Sequence, residues 1–99
     1  MITGSQCRAG RALVEVTRGK LSVRSGVDEA AIESFERKLQ KPEPEAIAAL
    51  QAALEALGAV FLEENGGGIG VRLKFSQSDG RRIARLESEG GIVSSDRVP

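Results

Sequence analysis

The sequence predicts a mainly α-helical domain of about four helices, followed by a β-hairpin and a short C-terminal helix or tail. Up to residue 58, apolar residues recur at three- and four-residue spacing between capping residues and helix breakers. After that point, the segment IGVRLKF alternates apolar and polar residues behind an NGGG turn. The chain of 99 residues can bury one core. We therefore expect residues 1–58 and residues 59–99 to pack as one unit.

Two capping residues predict the first two helices. Thr3 can cap a helix whose expected apolar stripe consists of Cys7, Ala9, Ala12, Leu13 and Val16. Thr17 can cap a second, short helix that runs to about Ser25, with Leu21 as its main apolar anchor.

A glycine and two prolines separate the third and fourth helices from their neighbours. Gly26 breaks the chain, and Asp28 is a good N-cap for a helix whose apolar side is Ala31, Ile32 and Phe35. Pro42 and Pro44 end that helix, and Pro44 can begin the next one. Gly58 closes this fourth helix, in which the recurring apolar residues are Ile47, Leu50, Leu54 and Leu57.

The hairpin pairs the segment AVFLEE with IGVRLKF. Because an isolated two-stranded hairpin is marginal in water, we expect it to contact both the helical core and a second copy of the chain. The expected dimerisation residues are Val60, Leu62, Ile69, Val71, Leu73 and Phe75. A capping box from Ser76 to Asp79 favours a helix after the hairpin, while RRIARLE as a third strand is the alternative.

The composition excludes several classes of chemistry. The chain has no His and one Cys, so catalytic His pairs and thiolate or imidazole zinc sites are excluded. We expect no enzyme activity, no cofactor and no metal. Cys7 cannot form an internal disulfide, which fits a reducing, cytoplasmic setting. No apolar run approaches the length needed to cross a membrane.

Charge is spread unevenly along a chain whose net charge is zero. Residues 1–24 carry five basic side chains against one acidic, whereas residues 28–38 carry four acidic against two basic. A uniformly basic nucleic-acid binder is therefore excluded, but a local basic face is not.

The order of these signals resembles a known family. Two successive short helices, a Gly turn, a helix ending in FER and a Pro-marked loop before a Leu/Ala helix are typical of the phage-repressor-like helix-turn-helix family. This family is also called the xenobiotic response element family of bacterial regulators. The resemblance covers roughly residues 3–58. The segments ITGSQCRAGRAL, LEENGGGIGVRLKF and ESEGG are similar to a small bacterial subgroup with a C-terminal hairpin extension.

The resemblance implies a lambda-repressor-like bundle that binds double-stranded DNA sequence-specifically as a homodimer and represses transcription. Its DNA-contacting positions fall on Thr17, Arg18, Asp28, Glu29, Ala30, Glu33, Ser34, Arg37, Lys38, Gln40 and Lys41. An Arg of the first helix commonly pairs with a Glu that ends the third helix, and Arg11 and Glu36 occupy these places as a structural ion pair. The chain departs from the family at Arg18, where Gln is usual, and in the acidic front of its third helix.

The acidic helix motivates an alternative function from another class. In this interpretation the same scaffold is a protein-interaction module, of an antiactivator or antitoxin-like kind, whose acidic third helix contacts a basic partner. The sequence shows no separate sensor domain. If the protein binds DNA, we therefore expect its regulation to come from its own level or from a regulatory protein partner.

Overall fold

The computed structural model describes residues 1–74 and contains four α-helices followed by an antiparallel two-stranded sheet. Its elements are α1 (Gly4–Val14), α2 (Arg18–Ser25), α3 (Glu29–Glu36), α4 (Pro44–Ala56), β1 (Ala59–Leu62) and β2 (Gly70–Leu73). The prediction of a mainly helical chain with a hairpin after the helices is confirmed. Phe75 and the predicted C-terminal helix, with its alternative third strand, lie outside the described residues.

Both predicted threonine caps are present. The Thr3 hydroxyl accepts a hydrogen bond from the backbone amide of Gln6 at 3.1 Å, and the Gln6 side-chain oxygen accepts one from the Thr3 amide at 3.0 Å. These two bonds form a capping box at the start of α1. The Thr17 hydroxyl accepts from the Lys20 amide at 3.0 Å and starts α2.

Asp28 occupies the N-cap position of α3 but does not cap it with its side chain. The expectation of a carboxylate cap is therefore wrong. The backbone carbonyl of Asp28 accepts hydrogen bonds from the amides of Ala31 and Ile32, so the helix begins here through the main chain. The Asp28 carboxylate is left exposed at the front of α3.

The buried face of α1 is made of small residues and differs from the predicted stripe. Ala9, Ala12 and Leu13 are exposed, whereas the buried residues of the helix are Gly4, Gln6, Cys7 and Gly10. A Cβ atom added to Gly4 would overlap the backbone carbonyl of Phe35, and one added to Gly10 would lie 3.2 Å from Cζ of Phe61. The two glycines thus let α1 approach α3 and the hairpin more closely than an apolar stripe would.

The turn between α2 and α3 is tight and tied to both helices. Gly26 adopts φ 78°, a left-handed conformation that favours glycine, and its amide donates to the carbonyl of Ser22 at 2.8 Å. The Ser22 hydroxyl donates to the carbonyl of Val27 at 2.6 Å. Leu21 and Ile32 are fully buried on the inner sides of the two helices.

The core is completed by α4 and one face of the sheet. Pro44 begins α4, as its fixed φ predicts, and the predicted residues Ile47, Leu50 and Leu54 are fully buried. In the sheet, Phe61 is paired with Val71, and both pack against the helical core. Among residues 1–74, no helix is both long and apolar enough to cross a membrane.

Gln6 fastens α1 to the hairpin. Its side-chain amide donates hydrogen bonds to the carbonyl oxygens of Leu62 at 3.2 Å and Gly70 at 2.9 Å. These two residues face each other across the sheet, so one buried side chain fixes the end of both strands.

The close approach of α1 to α3 predicts that Gly4→Ala lowers the free energy of unfolding by about 1–3 kcal/mol, because the new methyl group overlaps backbone that cannot move cheaply. Gly19→Ala is the matched control, since its Cβ would lie 3.6 Å from the nearest neighbouring atom. Urea unfolding followed by circular dichroism measures both. Equal stability of Gly4→Ala and wild type would contradict the packing described.

Candidate functional site

A buried carboxylate with three hydrogen-bonding neighbours lies where α1, α2 and α3 meet. Arg11 donates from Nε to Oε2 of Glu36 and from Nη2 to Oε1, both at 2.7 Å. Arg18 donates from Nε to the same Oε1 at 3.0 Å, and the Cys7 thiol donates to Oε2 at 3.3 Å. The third nitrogen of Arg11, Nη1, donates to the carbonyl of Val16 at 3.2 Å.

The predicted ion pair of Arg11 and Glu36 is present, and Arg18 and Cys7 bond to the same carboxylate. The Glu36 side chain has no solvent exposure, so the two-pronged contact from Arg11 replaces water on both oxygens. The placement of Arg18 on this carboxylate was not predicted. Cys7 and Arg11 are four residues apart on α1 and therefore share a helix face, a spacing that could have placed the thiol here.

The pKa of Glu36 is lowered in this cluster, and those of Arg11 and Cys7 are raised. Burial by itself would raise the pKa of Glu36, but hydrogen bonds from Arg11, Arg18 and Cys7 outweigh burial and hold it below its usual value. The hydrogen bond to Glu36 raises the pKa of Arg11. Burial, together with the bond to Glu36, raises the pKa of Cys7 to about 12. At neutral pH Glu36 is therefore a carboxylate, Arg11 a guanidinium ion and Cys7 a neutral thiol.

The remaining predicted site residues lie at the start of α2, along α3 and in the segment after α3. Those that are exposed are Thr17, Asp28, Glu29, Ala30, Arg37, Lys38, Gln40 and Lys41, and those that are half-buried are Arg18, Glu33 and Ser34. A Cβ on Gly19 would lie 3.6 Å from Oε1 of Glu29, so the first turns of α2 and α3 are adjacent. Residues 28, 40 and 41 line one open groove.

A sharp turn after α3 sets the position of the basic segment. Lys38 adopts φ 62°, which is uncommon for a residue with a side chain, and its amide donates to the carbonyl of Phe35 at 3.1 Å. The amides of Leu39 and Gln40 both donate to the carbonyl of Ser34, at 2.8 and 3.3 Å. The chain therefore folds back over the end of α3 before Lys41.

Arg37 is engaged by a neighbour on its own helix face. Its Nη1 lies 3.1 Å from Oε2 of Glu33, four residues earlier. The two side chains are 58% and 47% exposed, so this pair contributes little to stability and can open at small cost.

Within residues 1–74, no group of three or more His, Cys, Asp or Glu side chains is placed to hold a metal ion. No protein-family model matches the chain, and a search of curated proteins found no match.

Glu36→Gln is expected to lower the free energy of unfolding at pH 7 by about 3–5 kcal/mol, because it leaves two guanidinium groups without their shared anion. In wild type, the stability contributed by ionised Glu36 is present above the unfolded pKa of about 4.3 and is lost as pH falls through the lower folded pKa. Glu36→Gln should therefore lose less free energy of unfolding than wild type as the pH falls. Urea unfolding between pH 7 and pH 3 measures it.

Glu45→Gln is the control for that series, because Glu45 is an exposed carboxylate in the first turn of α4. It should retain the wild-type dependence on pH. If Glu36→Gln loses as much stability as wild type on acidification, the cluster does not have the electrostatic role assigned to it.

The buried thiol predicts slow alkylation of the folded protein. Cys7 has no solvent exposure, and its pKa of about 12 leaves almost no thiolate at pH 8. Iodoacetamide should modify it only through opening of the α1 packing, with a rate that rises in proportion to the open fraction as urea is added. Mass spectrometry measures the rate, and fully unfolded protein in high urea is the control. Labelling of the folded chain at the unfolded rate would contradict the burial.

Proposed function

We propose that the protein is a sequence-specific regulator that binds double-stranded DNA, with α2, the Gly26 turn and α3 as a lambda-repressor-like helix-turn-helix. The observation that carries this proposal is the division of α3 into two faces. Ile32 and Phe35 are buried in the core, whereas Glu29 and Ala30 at the front are exposed, with Ser34 half-exposed one turn later. A helix fixed on one side and open on the other can enter the major groove.

The start of α2 supplies a suitable phosphate contact beside that helix. The backbone amides of Arg18 and Gly19 have no acceptor among residues 1–74, because the Thr17 side chain satisfies only the amide of Lys20. Amides at a helix N-terminus bind anions well. At the other end of α3, Lys38 and Lys41 are cations without an ion-pair partner among residues 1–74.

The acidic residues of α3 are compatible with base recognition. A carboxylate accepts a hydrogen bond from the exocyclic amine of cytosine. This amine is the hydrogen-bond donor that a G·C pair presents in the major groove, since guanine presents acceptors there. The side chain of Glu29 has no hydrogen-bond partner among residues 1–74 and is exposed, so it is the acidic residue assigned to base contact. Glu33 is held by Arg37 and would have to leave that pair to reach a base.

We propose a homodimer because a single small module makes few base contacts, and two copies combine half-sites about one helical turn apart. Val60 and Leu62 lie on the opposite face of the sheet from the core-packed Phe61 and Val71, since successive strand residues alternate in direction. Other exposed apolar residues on the hairpin are Ile69 and Leu73. Val71 serves the core of its own protomer, so the contact assigned to the partner uses the outer face and the end of the hairpin.

The expected action is repression by occupying a promoter, in the cytoplasm. A buried, protonated Cys7 fits this reducing compartment. Control would come from the level of the protein itself or from a regulatory protein partner.

One observation favours a second function, that of a protein-interaction module with a basic partner. Two of the cations expected at phosphates, Arg18 and Arg37, are each bonded to a glutamate. Asp28 and Glu29 remain exposed at the front of α3 without such a partner among residues 1–74. The exposed front of α3 is therefore more negative than the number of nearby basic residues in the sequence suggests.

Fluorescence anisotropy with a labelled duplex from the upstream region of the gene is expected to show preference over a scrambled duplex at low and near-physiological salt. The affinity should fall as salt rises, because phosphate contacts release counterions. The variant Glu29→Gln should change the preferred sequence at one position of each half-site, from cytosine towards adenine.

The two functions give opposite results with that variant. An interaction with a basic protein should weaken when Glu29 loses its charge, whereas non-specific binding to DNA should strengthen. Absence of binding to either duplex at low salt would overturn the proposed function and leave the interaction module.

A further inference from the structure

The two arginines on Glu36 use their guanidinium groups differently. Arg11 has each of its three nitrogens hydrogen-bonded inside the protein, two on Glu36 and one on Val16, and its side chain is 16% exposed. Arg18 uses Nε alone on Glu36, and its side chain is 30% exposed. Among residues 1–74, neither Nη group of Arg18 has a hydrogen-bond partner.

The charges of the cluster leave one cation in excess. The two-pronged bond from Arg11 already neutralises Glu36, so the positive charge of Arg18 is surplus to the pair. A surplus guanidinium whose side chain is 30% exposed can bind a second anion through its outer edge. The planar fork of two N–H groups on that edge suits an oxyanion with two acceptor oxygens, such as phosphate.

We propose that Glu36 is a positioning residue for DNA binding, which holds Arg18 by Nε so that its free Nη edge contacts a backbone phosphate at the start of α2. The inference rests on the proposed function. Fixing Nε sets the plane of the guanidinium before DNA arrives, and less rotamer freedom is then lost on binding. The Glu36 carboxylate therefore joins α1 to α3 and also orients the Nη edge of Arg18 towards the phosphate.

Arg37 differs from Arg18 because its glutamate partner is exposed and not buried. Its partner Glu33 is itself about half exposed and carries no second arginine, so solvent screens this pair and it opens at small cost. Only Arg18, among the arginines of residues 1–74 that contact glutamate, combines a fully buried anchor with an open edge.

The test compares Arg18→Lys and Arg18→Gln with Arg24→Lys and Arg24→Gln, which make the same chemical changes at an exposed residue in the last turn of α2. Binding of each full-length variant to a labelled non-specific 24-base-pair duplex is measured across a KCl series, and circular dichroism melting confirms folding. A non-specific duplex suffices because the contact is to phosphate.

Arg18→Lys should weaken binding about tenfold, because the single nitrogen of an ammonium group bonded to Glu36 does not supply the outward planar edge of a guanidinium. Arg18→Gln should weaken it further and reduce the magnitude of the slope of log affinity against log salt by about 0.9. The Arg24 variants should match wild type. If both Arg18 variants match their Arg24 counterparts while wild type binds, the inference is overturned and the proposed function stands.

A measurement on wild type covers the case in which the Arg18 variants do not fold. In ¹⁵N-labelled protein, the Nε–H signal of Arg18 should be protected from solvent exchange before DNA is added and remain in place afterwards, while its Nη signals shift on addition of duplex. Nη signals that do not respond in the bound protein would overturn the inference. Absence of any wild-type binding at low salt would overturn the proposed function and this inference together.

Discussion

The buried carboxylate of Glu36 is the interaction on which the arrangement of the first three helices depends. An ionised carboxylate without water is tolerated only where its oxygens are saturated by donors, and here the donors come from three helix positions, Arg11, Arg18 and Cys7. Each of these donors must stand at a fixed distance from the end of α3. The requirement therefore fixes α1 and the start of α2 relative to α3, and with them the angle at which the exposed face of α3 is presented.

Close packing of α1 supports this electrostatic arrangement. Because Gly4 lies against the backbone of Phe35, the N-terminal end of α1 approaches the end of α3 without an intervening side chain. Gly10 gives the same close approach to Phe61 in the hairpin, where Gln6 also bonds to both strands. One helix face made of two glycines, a glutamine and a cysteine thus holds the hairpin and the helical unit together, and the hairpin is part of the core.

The cluster links stability to the proposed interface. A purely structural ion pair would need one arginine, and Arg11 alone satisfies both oxygens of Glu36. The second arginine extends the pair to the surface next to Thr17 and the acidic front of α3. Phosphate recognition and fold maintenance would then share one anion, which fits a small domain with little surface to divide between the two tasks.

The sequence by itself determined the elements whose signals are local. Thr3, Thr17, Gly26 and Pro44 mark their helix ends as predicted, because a cap, a left-handed turn and a fixed φ each act within a few residues. Alternation in IGVRLKF likewise predicted a strand of the hairpin. The pair of Arg11 and Glu36 was predicted too, although through the family resemblance rather than through spacing.

Tertiary structure alone decided which face of α1 is buried and where Arg18 points. Helical spacing favoured Ala9, Ala12 and Leu13, but the buried face carries Gly4 and Gly10, which lie against Phe35 and Phe61. Which face is buried therefore depends on the shape of the neighbouring elements. Arg18 stands far from Glu36 in sequence, so its bond follows from the distance between two helix ends. Such distances are set by the packing of the whole core, which no local pattern encodes.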